Sequence, residues 1–285
     1  MILLTGATGF LGEFVLEELV NRGHEVTCFV RKTSNLEKIK RENVNYVYGE
    51  LDDYKSICEA LKGKETLINI ASLGFGHAPS IINACEEIGV KRSIFVSTTG
   101  IFTKLNPDSK GVRLEAEKLI KESNLDYTII RPTMIYGTSK DRNMWRLVKV
   151  LKKVPVLPIL GSGSYLQQPV YVKDLATAIV SAYEKPVSIK KVYNISGAKA
   201  LTYNEVVDIT GETLGKKVLR LHIPMKLSYN LLKIYEKVSK NPKLKAEQVL
   251  RLNENKDFSY EEAKQDLGYN PLSFNEGIKL ELTER

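Results

Sequence analysis

The first twelve residues constrain this chain more than any other stretch. Met1-Ile2-Leu3-Leu4 reads as a short apolar strand and runs directly into Thr5-Gly6-Ala7-Thr8-Gly9-Phe10-Leu11-Gly12. Helical apolar spacing follows from residue 11 to 22. A strand, three glycines at this spacing and a helix together form the fingerprint of a loop that holds a dinucleotide pyrophosphate. Gly6 permits the tight turn, Gly9 lets the backbone approach the phosphates, and Gly12 lets the helix pack close to the strand. The amides around Ala7, Thr8, Phe10 and Leu11 at the helix start then face an anion.

The rest of the chain fits that beginning. Short β-branched runs at residues 1–5, 25–31, 45–48, 66–70, 93–97 and 127–130 alternate with amphipathic stretches at 11–22, 53–62, 79–88 and 111–122. The alternation predicts an α/β fold, a Rossmann-type doubly wound parallel sheet covered by helices. After Tyr136-Gly137 the character changes, with Pro155, Pro158, Gly161, Gly163 and Pro169 punctuating a loop-rich region. Val170-Tyr171-Val172 and Val192-Tyr193-Asn194 read as further strands, and from about Leu201 the chain is mostly helical, including an amphipathic stretch from Met225 to Val238. The expected division is a dinucleotide-binding domain over 1–155, with 170–195 returning to it, and a smaller, mostly helical C-terminal lobe over 156–285.

With 285 residues the chain can bury a substantial core without staples. Cys28, Cys58 and Cys85 are isolated and lack the paired spacing of a disulfide framework or a zinc site, so they are read as buried thiols, and no metal is expected. The net charge of +8 is spread as lysines among glutamates rather than massed, which argues for a solvated surface and against nucleic acid as partner. No apolar run approaches the roughly 20 residues of a membrane span. A cleaved leader would destroy the glycine loop, so the cytoplasm is the expected compartment. Oligomeric state is not readable from the sequence.

A dinucleotide cradle of this kind usually carries an Asp or Glu at the end of the second strand, where it binds the ribose 2′-hydroxyl. Here the end reads Phe29-Val30-Arg31-Lys32-Thr33-Ser34. Arg31 suits a 2′-phosphate, with Lys32 or Ser34 assisting, so NADP is preferred over NAD.

The glycine loop, Gly49-Glu50-Leu51-Asp52, Ser97-Thr98-Thr99 and Arg131-Pro132-Thr133-Met134-Ile135-Tyr136-Gly137 occur in an order that resembles the short-chain dehydrogenase/reductase superfamily. More narrowly, the chain resembles its extended or atypical NAD-dependent epimerase/dehydratase branch. Gln168-Pro169-Val170-Tyr171-Val172-Lys173-Asp174 and Asp266-Leu267-Gly268-Tyr269-Asn270-Pro271 extend the resemblance almost to the end. The resemblance implies a seven-stranded sheet, a C-terminal substrate lobe and a small-molecule substrate. It places Glu50 and Leu51 near the adenine, Ala71 and Ser72 beside the middle of the cofactor, and Pro132 and Thr133 near the nicotinamide.

The same resemblance implies a catalytic Tyr with a Lys four residues later, whose ammonium lowers the phenol pKa. The best register puts Ser109 at the Tyr position and Arg113 at the Lys position; a shifted register offers Asn106 and Lys110. Neither supplies a tyrosine. Tyr136 with Lys140, Tyr229 with Lys233 and Tyr260 with Lys264 have the spacing but lie on later elements. Thr98 or Thr99 fits the hydroxyl that holds the substrate oxygen. His77, in the loop leaving the fourth strand, is a further candidate acid or base, and Tyr165 a weaker one. Gln167 stands seven residues before Asp174, where sugar-nucleotide enzymes of this branch place an arginine on the substrate diphosphate, which weighs against a UDP- or dTDP-sugar. Two readings follow: an oxidoreductase or epimerase-like enzyme acting on a small carbonyl or hydroxyl compound, or a non-catalytic NAD(P)(H)-binding sensor or assembly protein.

Overall fold

The structure is a computed structural model that describes residues 1–105, 107–141, 143–239 and 246–283. Its first half alternates strand and helix: β1 (Ile2–Thr5), α1 (Phe10–Asn21), β2 (Val26–Val30), β3 (Val44–Tyr48), α2 (Tyr54–Leu61), β4 (Thr66–Asn69), α3 (Ala78–Ile88), β5 (Arg92–Val96), α4 (Asp108–Glu122) and β6 (Asp126–Pro132). There follow β7 (Ile135–Tyr136), α5 (Met144–Lys153), β8 (Val156–Leu160), β9 (Leu166–Gln167), β10 (Val170–Tyr171), α6 (Val172–Glu184) and β11 (Lys191–Ile195). The chain ends with β12 (Leu201–Thr202), α7 (Tyr203–Thr213), β13 (Leu219–Ile223), α8 (Met225–Val238), α9 (Ala246–Leu252), α10 (Glu261–Leu267) and α11 (Phe274–Thr283).

Seven strands form one parallel sheet in the order β11-β6-β5-β4-β1-β2-β3. Both faces are covered, which is why its central strands read as unbroken apolar runs rather than as alternations. Leu4, Ile68 and Ile94 point to the face held by α1 and α6, against Val15, Leu19 and Ile179. Their neighbours Leu3, Leu67 and Phe95 point to the other face, against Ile57, Ile81 and Ile120 of α2, α3 and α4. The strand order reverses between β1 and β4, so a crevice opens at their carboxyl ends. The Thr5 hydroxyl donates to Asn69 Oδ1 at 2.6 Å and ties those two ends together.

The later elements divide their packing. Val192-Tyr193-Asn194 lies in β11, the seventh strand, and α6 lies on α1. The segment Asp266-Leu267-Gly268-Tyr269 returns to this layer: the Asp266 carboxylate accepts from Lys191 Nζ at 2.5 Å and from the Tyr193 hydroxyl at 2.7 Å. A separate cluster gathers Tyr136, Val148, Leu157, Val207, Phe274 and Ile278 around α5, α7 and α11. Val170-Tyr171-Val172 is shorter as a strand than its composition suggests; it pairs with β7, and Val172 already begins α6. The proline-punctuated region conceals β8, a strand that pairs with β13 alone, where Pro158 removes no ladder bond from a central position. Cys28 and Cys85 are buried, and burial pushes both thiols up to about 12, whereas Cys58 is half-buried.

One carboxyl in this lobe is buried beside another. Glu281 of α11 is fully buried and its oxygens have no hydrogen-bond donor among the described residues. Burial first, then a hydrogen bond that the protonated carboxyl can donate to Asp141, and then the charge of that carboxylate, push its pKa up to about 9. A raised folded-state pKa means that the folded protein holds a proton the unfolded chain releases, so stability falls as pH rises from about 4.5 toward about 9. The slope approaches about 1.4 kcal/mol per pH unit for one proton. Glu281→Gln should remove this component, leaving a protein more stable than wild type at pH 8, as measured by urea unfolding at several pH values.

Candidate functional site

At the switch point the backbone itself builds the site. Gly6 has φ +72°, and a Cβ there would lie 2.7 Å from the Ala71 amide nitrogen. A Cβ on Gly12 would lie 2.0 Å from the Gly6 carbonyl oxygen. These two contacts let α1 start directly beneath the loop. The Gly9 amide closes the turn onto Gly6 O at 2.9 Å, and Gly9, with extended backbone, is the N-cap of α1. No side chain caps that helix start, so its first amides remain open to an anion.

A cleft of about 1010 Å³ runs over this loop. At one end it is lined by Arg31 and Ser34 after β2 and by Glu50 and Leu51 after β3. Its middle is walled by Gly6, Thr8, Gly9, Phe10, Leu11 and Gly12 and by Ala71 and Ser72 after β4; Pro132 and Thr133 of the β6 end lie beyond. Ala7 is buried beneath the loop, and exposed Lys32 is not among the lining residues. An elongated cleft with a capless helix start at its centre and a guanidinium at one end fits a dinucleotide.

The opposite end of the cleft carries Thr98, His77, Ser109, Lys110 and Arg113. Arg113 Nη1 donates to Ser109 Oγ at 2.7 Å, one helical turn apart on α4. Ser109 and Arg113, the residues that one sequence register sets at the expected Tyr and Lys positions, are thus in direct contact as hydroxyl and guanidinium. Burial, followed by the charge of Arg251, holds the Arg113 pKa below its ordinary value. Arg251 comes from α9 and lines the same cleft, a contribution from the far end of the chain that no local motif marks. The Thr98 hydroxyl accepts from the Gly100 amide at 3.1 Å, leaving its proton available. Thr99 is buried, donates to Pro132 O at 3.2 Å, and lies off this cleft. Beneath them, the buried Glu117 carboxylate accepts from Ser97 Oγ at 2.6 Å and from Arg131 Nε at 2.9 Å, tying α4 to the ends of β5 and β6.

The tyrosines spaced four before a lysine lie elsewhere. Tyr136 is buried in the lobe core, where desolvation and then the Asp174 carboxylate raise its pKa, and Lys140 ion-pairs with Glu13. Lys233 sits over the Tyr229 ring, and Tyr260 packs edge-on against Tyr269. Asn106 lies outside the described residues. Tyr165 lines a second cavity of about 380 Å³ with Thr99 and Lys256, next to the main cleft at Gly100. Gln167 is buried in β9, away from the main cleft.

Sheet order, switch-point cleft and glycine cradle define an NAD(P)-binding protein of the doubly wound α/β class. The chain belongs to the NAD(P)H-binding family, whose model matches residues 6–186. It is 28% identical over 231 residues to the chloroplast stem-loop binding protein of 41 kDa b of Arabidopsis thaliana, spanning 71% of this chain and 60% of that protein. It is 26% identical over 323 residues to the 2-alkyl-3-oxoalkanoate reductase of Stenotrophomonas maltophilia, spanning 98% of this chain and 97% of that one. In fold it is similar to a UDP-glucose 4-epimerase of Thermotoga maritima solved with UDP-glucose, at TM-score 0.75 and 22% identity, over 99% of this chain and 97% of that one. The resemblance to extended dehydrogenase/reductases is thereby borne out, with reductases and epimerases among the relatives.

Gly12→Ala tests the cradle. Alanine ordinarily favours a helix interior over glycine by about 1 kcal/mol, but here its methyl collides with the Gly6 carbonyl. The variant should unfold more easily by about 1–3 kcal/mol and lose most of its affinity for NAD(P)H in a fluorescence titration.

Proposed function

We propose that this protein is an NADP(H)-dependent oxidoreductase acting on a small carbonyl or hydroxyl compound, with the Ser109–Arg113 pair standing where relatives of this fold carry Tyr and Lys. The observation that carries the reading is the two-ended cleft. Arg31 and the open helix start lie at one end, and Thr98 and the Ser109–Arg113 pair at the other.

The 2′-phosphate of NADP would be held by Arg31, with Ser34 beside it; the turn after β2 carries no carboxylate of its own, and the acids lining the cleft nearby, Glu50 and Asp52, come from the segment after β3. The bound nicotinamide supplies or accepts hydride. This chain's residues handle the substrate oxygen. The Thr98 hydroxyl has its acceptor site filled by Gly100 N and can donate to that oxygen. Ser109 has its acceptor site filled by Arg113 and can donate likewise. The guanidinium behind Ser109 strengthens that hydrogen bond as negative charge develops on the oxygen. A guanidinium does not give up its proton, so Arg113 stabilises charge while His77, in the same cleft, delivers or collects the proton. We place the reaction in the cytoplasm. A second reading, cofactor binding without turnover, is favoured by one observation: among the described residues no tyrosine lines the main cleft.

The readings separate on NADPH oxidation across a panel of ketones and aldehydes. Turnover that falls on the order of 10²-fold in kcat/KM in Arg113→Ala, with the NADPH Kd unchanged, fits the enzyme. Tight NADPH binding with no turnover on any compound selects the non-catalytic protein. Cofactor choice is tested apart from this: Arg31→Ala should weaken NADPH by about 10- to 100-fold, the scale of one charge-assisted bond, and NADH far less. Equal losses would remove the preference for NADP.

A further inference from the structure

Helix α8 stands apart from every other helix in how little of it is covered. Ser228 is its one buried residue. It packs on α9 along one side, yet Leu227, Leu231, Ile234 and Val238 are 50%, 53%, 60% and 80% exposed. Their spacing of i, i+4, i+7 and i+11 puts all four aliphatic side chains on a single stripe. Contiguous exposed apolar surface of this kind marks a binding face rather than ordinary solvated surface. Lys226, Lys233 and Lys237, at i, i+7 and i+11, form a parallel row on one flank of the stripe. Glu236 is the single acid of the helix. Just before it, Leu219 and Leu221 of β13 are 62% and 58% exposed, while Arg220 between them pairs with Asp208 at 2.6 Å.

We propose that α8 docks on the surface of an anionic lipid bilayer, with Leu227, Leu231, Ile234 and Val238 entering the acyl boundary and Lys226, Lys233 and Lys237 meeting headgroup phosphates. An apolar stripe beside a lysine row is the pattern of a helix that lies in the membrane interface. The long lysine stems reach upward to the headgroups while the stripe is immersed. A second copy of the chain is the poorer occupant, because a two-fold contact through this stripe would bring lysine rows toward one another with little acid to offset them. No helix among the described residues is long and apolar enough to cross a bilayer, so docking is peripheral. The attachment also bears on the cleft. Helix α9, which lies against α8, contributes Arg251 to the cleft wall, so docking would hold one wall of the site on the membrane-bound element. This proposal stands independently of the reaction proposed above.

Co-sedimentation of the full chain with vesicles tests it. The protein should pellet with phosphatidylcholine vesicles containing phosphatidylglycerol, much less with phosphatidylcholine alone, and should be released by raised salt. Leu231→Glu combined with Ile234→Glu should abolish pelleting while NADPH fluorescence titration shows the fold and cradle intact. Each of Lys226→Gln, Lys233→Gln and Lys237→Gln should weaken the vesicle partition about fivefold. Failure to bind phosphatidylglycerol vesicles at low salt, or unchanged binding by the double glutamate variant, overturns the proposal. A vesicle-free dimer in sedimentation velocity that the double variant dissociates, without vesicle binding, overturns it in favour of a second copy.

Discussion

Everything at the centre of this molecule depends on the approach of α1 to the loop that precedes it. A methyl group on Gly12 would sit 2.0 Å from the Gly6 carbonyl, and one on Gly6 would sit 2.7 Å from the backbone of Ala71. Because neither residue has a side chain, three pieces of backbone meet: the end of β1, the first turn of α1 and the segment leaving β4. That meeting leaves the helix amides uncapped and aimed into the crevice, which is where a pyrophosphate gains most from the helix dipole. The Thr5 to Asn69 hydrogen bond holds the two strand ends in register beneath it.

The cleft that results has two chemically distinct ends. The end at β2 offers Arg31 on an exposed surface, suited to a group that remains partly solvated. The other end places Arg113 in a half-buried position where its charge is less screened. A hydroxyl held by that guanidinium is a donor whose strength rises with charge on its partner. A phenol beside an ammonium, by contrast, can itself lose and regain a proton. Under the proposed reading, Ser109 and Arg113 in place of Tyr and Lys keep stabilisation of a developing oxyanion and leave proton movement to another group. The Glu117 network with Ser97 and Arg131 keeps α4 and the two strand ends in fixed relation, so that Ser109 and Thr98 face one cleft.

The sequence made the sheet legible because both faces of its strands are buried and each strand is punctuated by a turn or a cap. The glycine loop was legible for a stronger reason: glycine is the residue its contacts permit. What stayed hidden was either short or distant. Strand β8 lies between prolines and finds its partner more than 60 residues later in β13, and Val172 reads as strand although it opens α6. Arg251 reaches the cleft from α9 through tertiary packing alone. Lys32 and Thr99 illustrate the converse: neighbours in sequence to Arg31 and Thr98, they lie off the cleft because the chain bends at both places, into a turn at Lys32 and into a 3-10 helix that begins at Thr99. The exposed stripe of α8 was visible as amphipathic spacing, but only the fold shows that its apolar side is the one left uncovered.

The central claim is that a nicotinamide dinucleotide lies across this cleft with its pyrophosphate on the α1 amides and its reactive ring at the Ser109–Arg113 end. A crystal structure of the protein with NADPH measures this directly. The account predicts pyrophosphate density over Gly9 to Leu11, the 2′-phosphate within hydrogen-bond reach of Arg31, and the nicotinamide between Ser72 and Thr133 with Thr98 and Ser109 beside it. Pyrophosphate bound away from the glycine loop, or a nicotinamide lying at the Arg31 end, would contradict it.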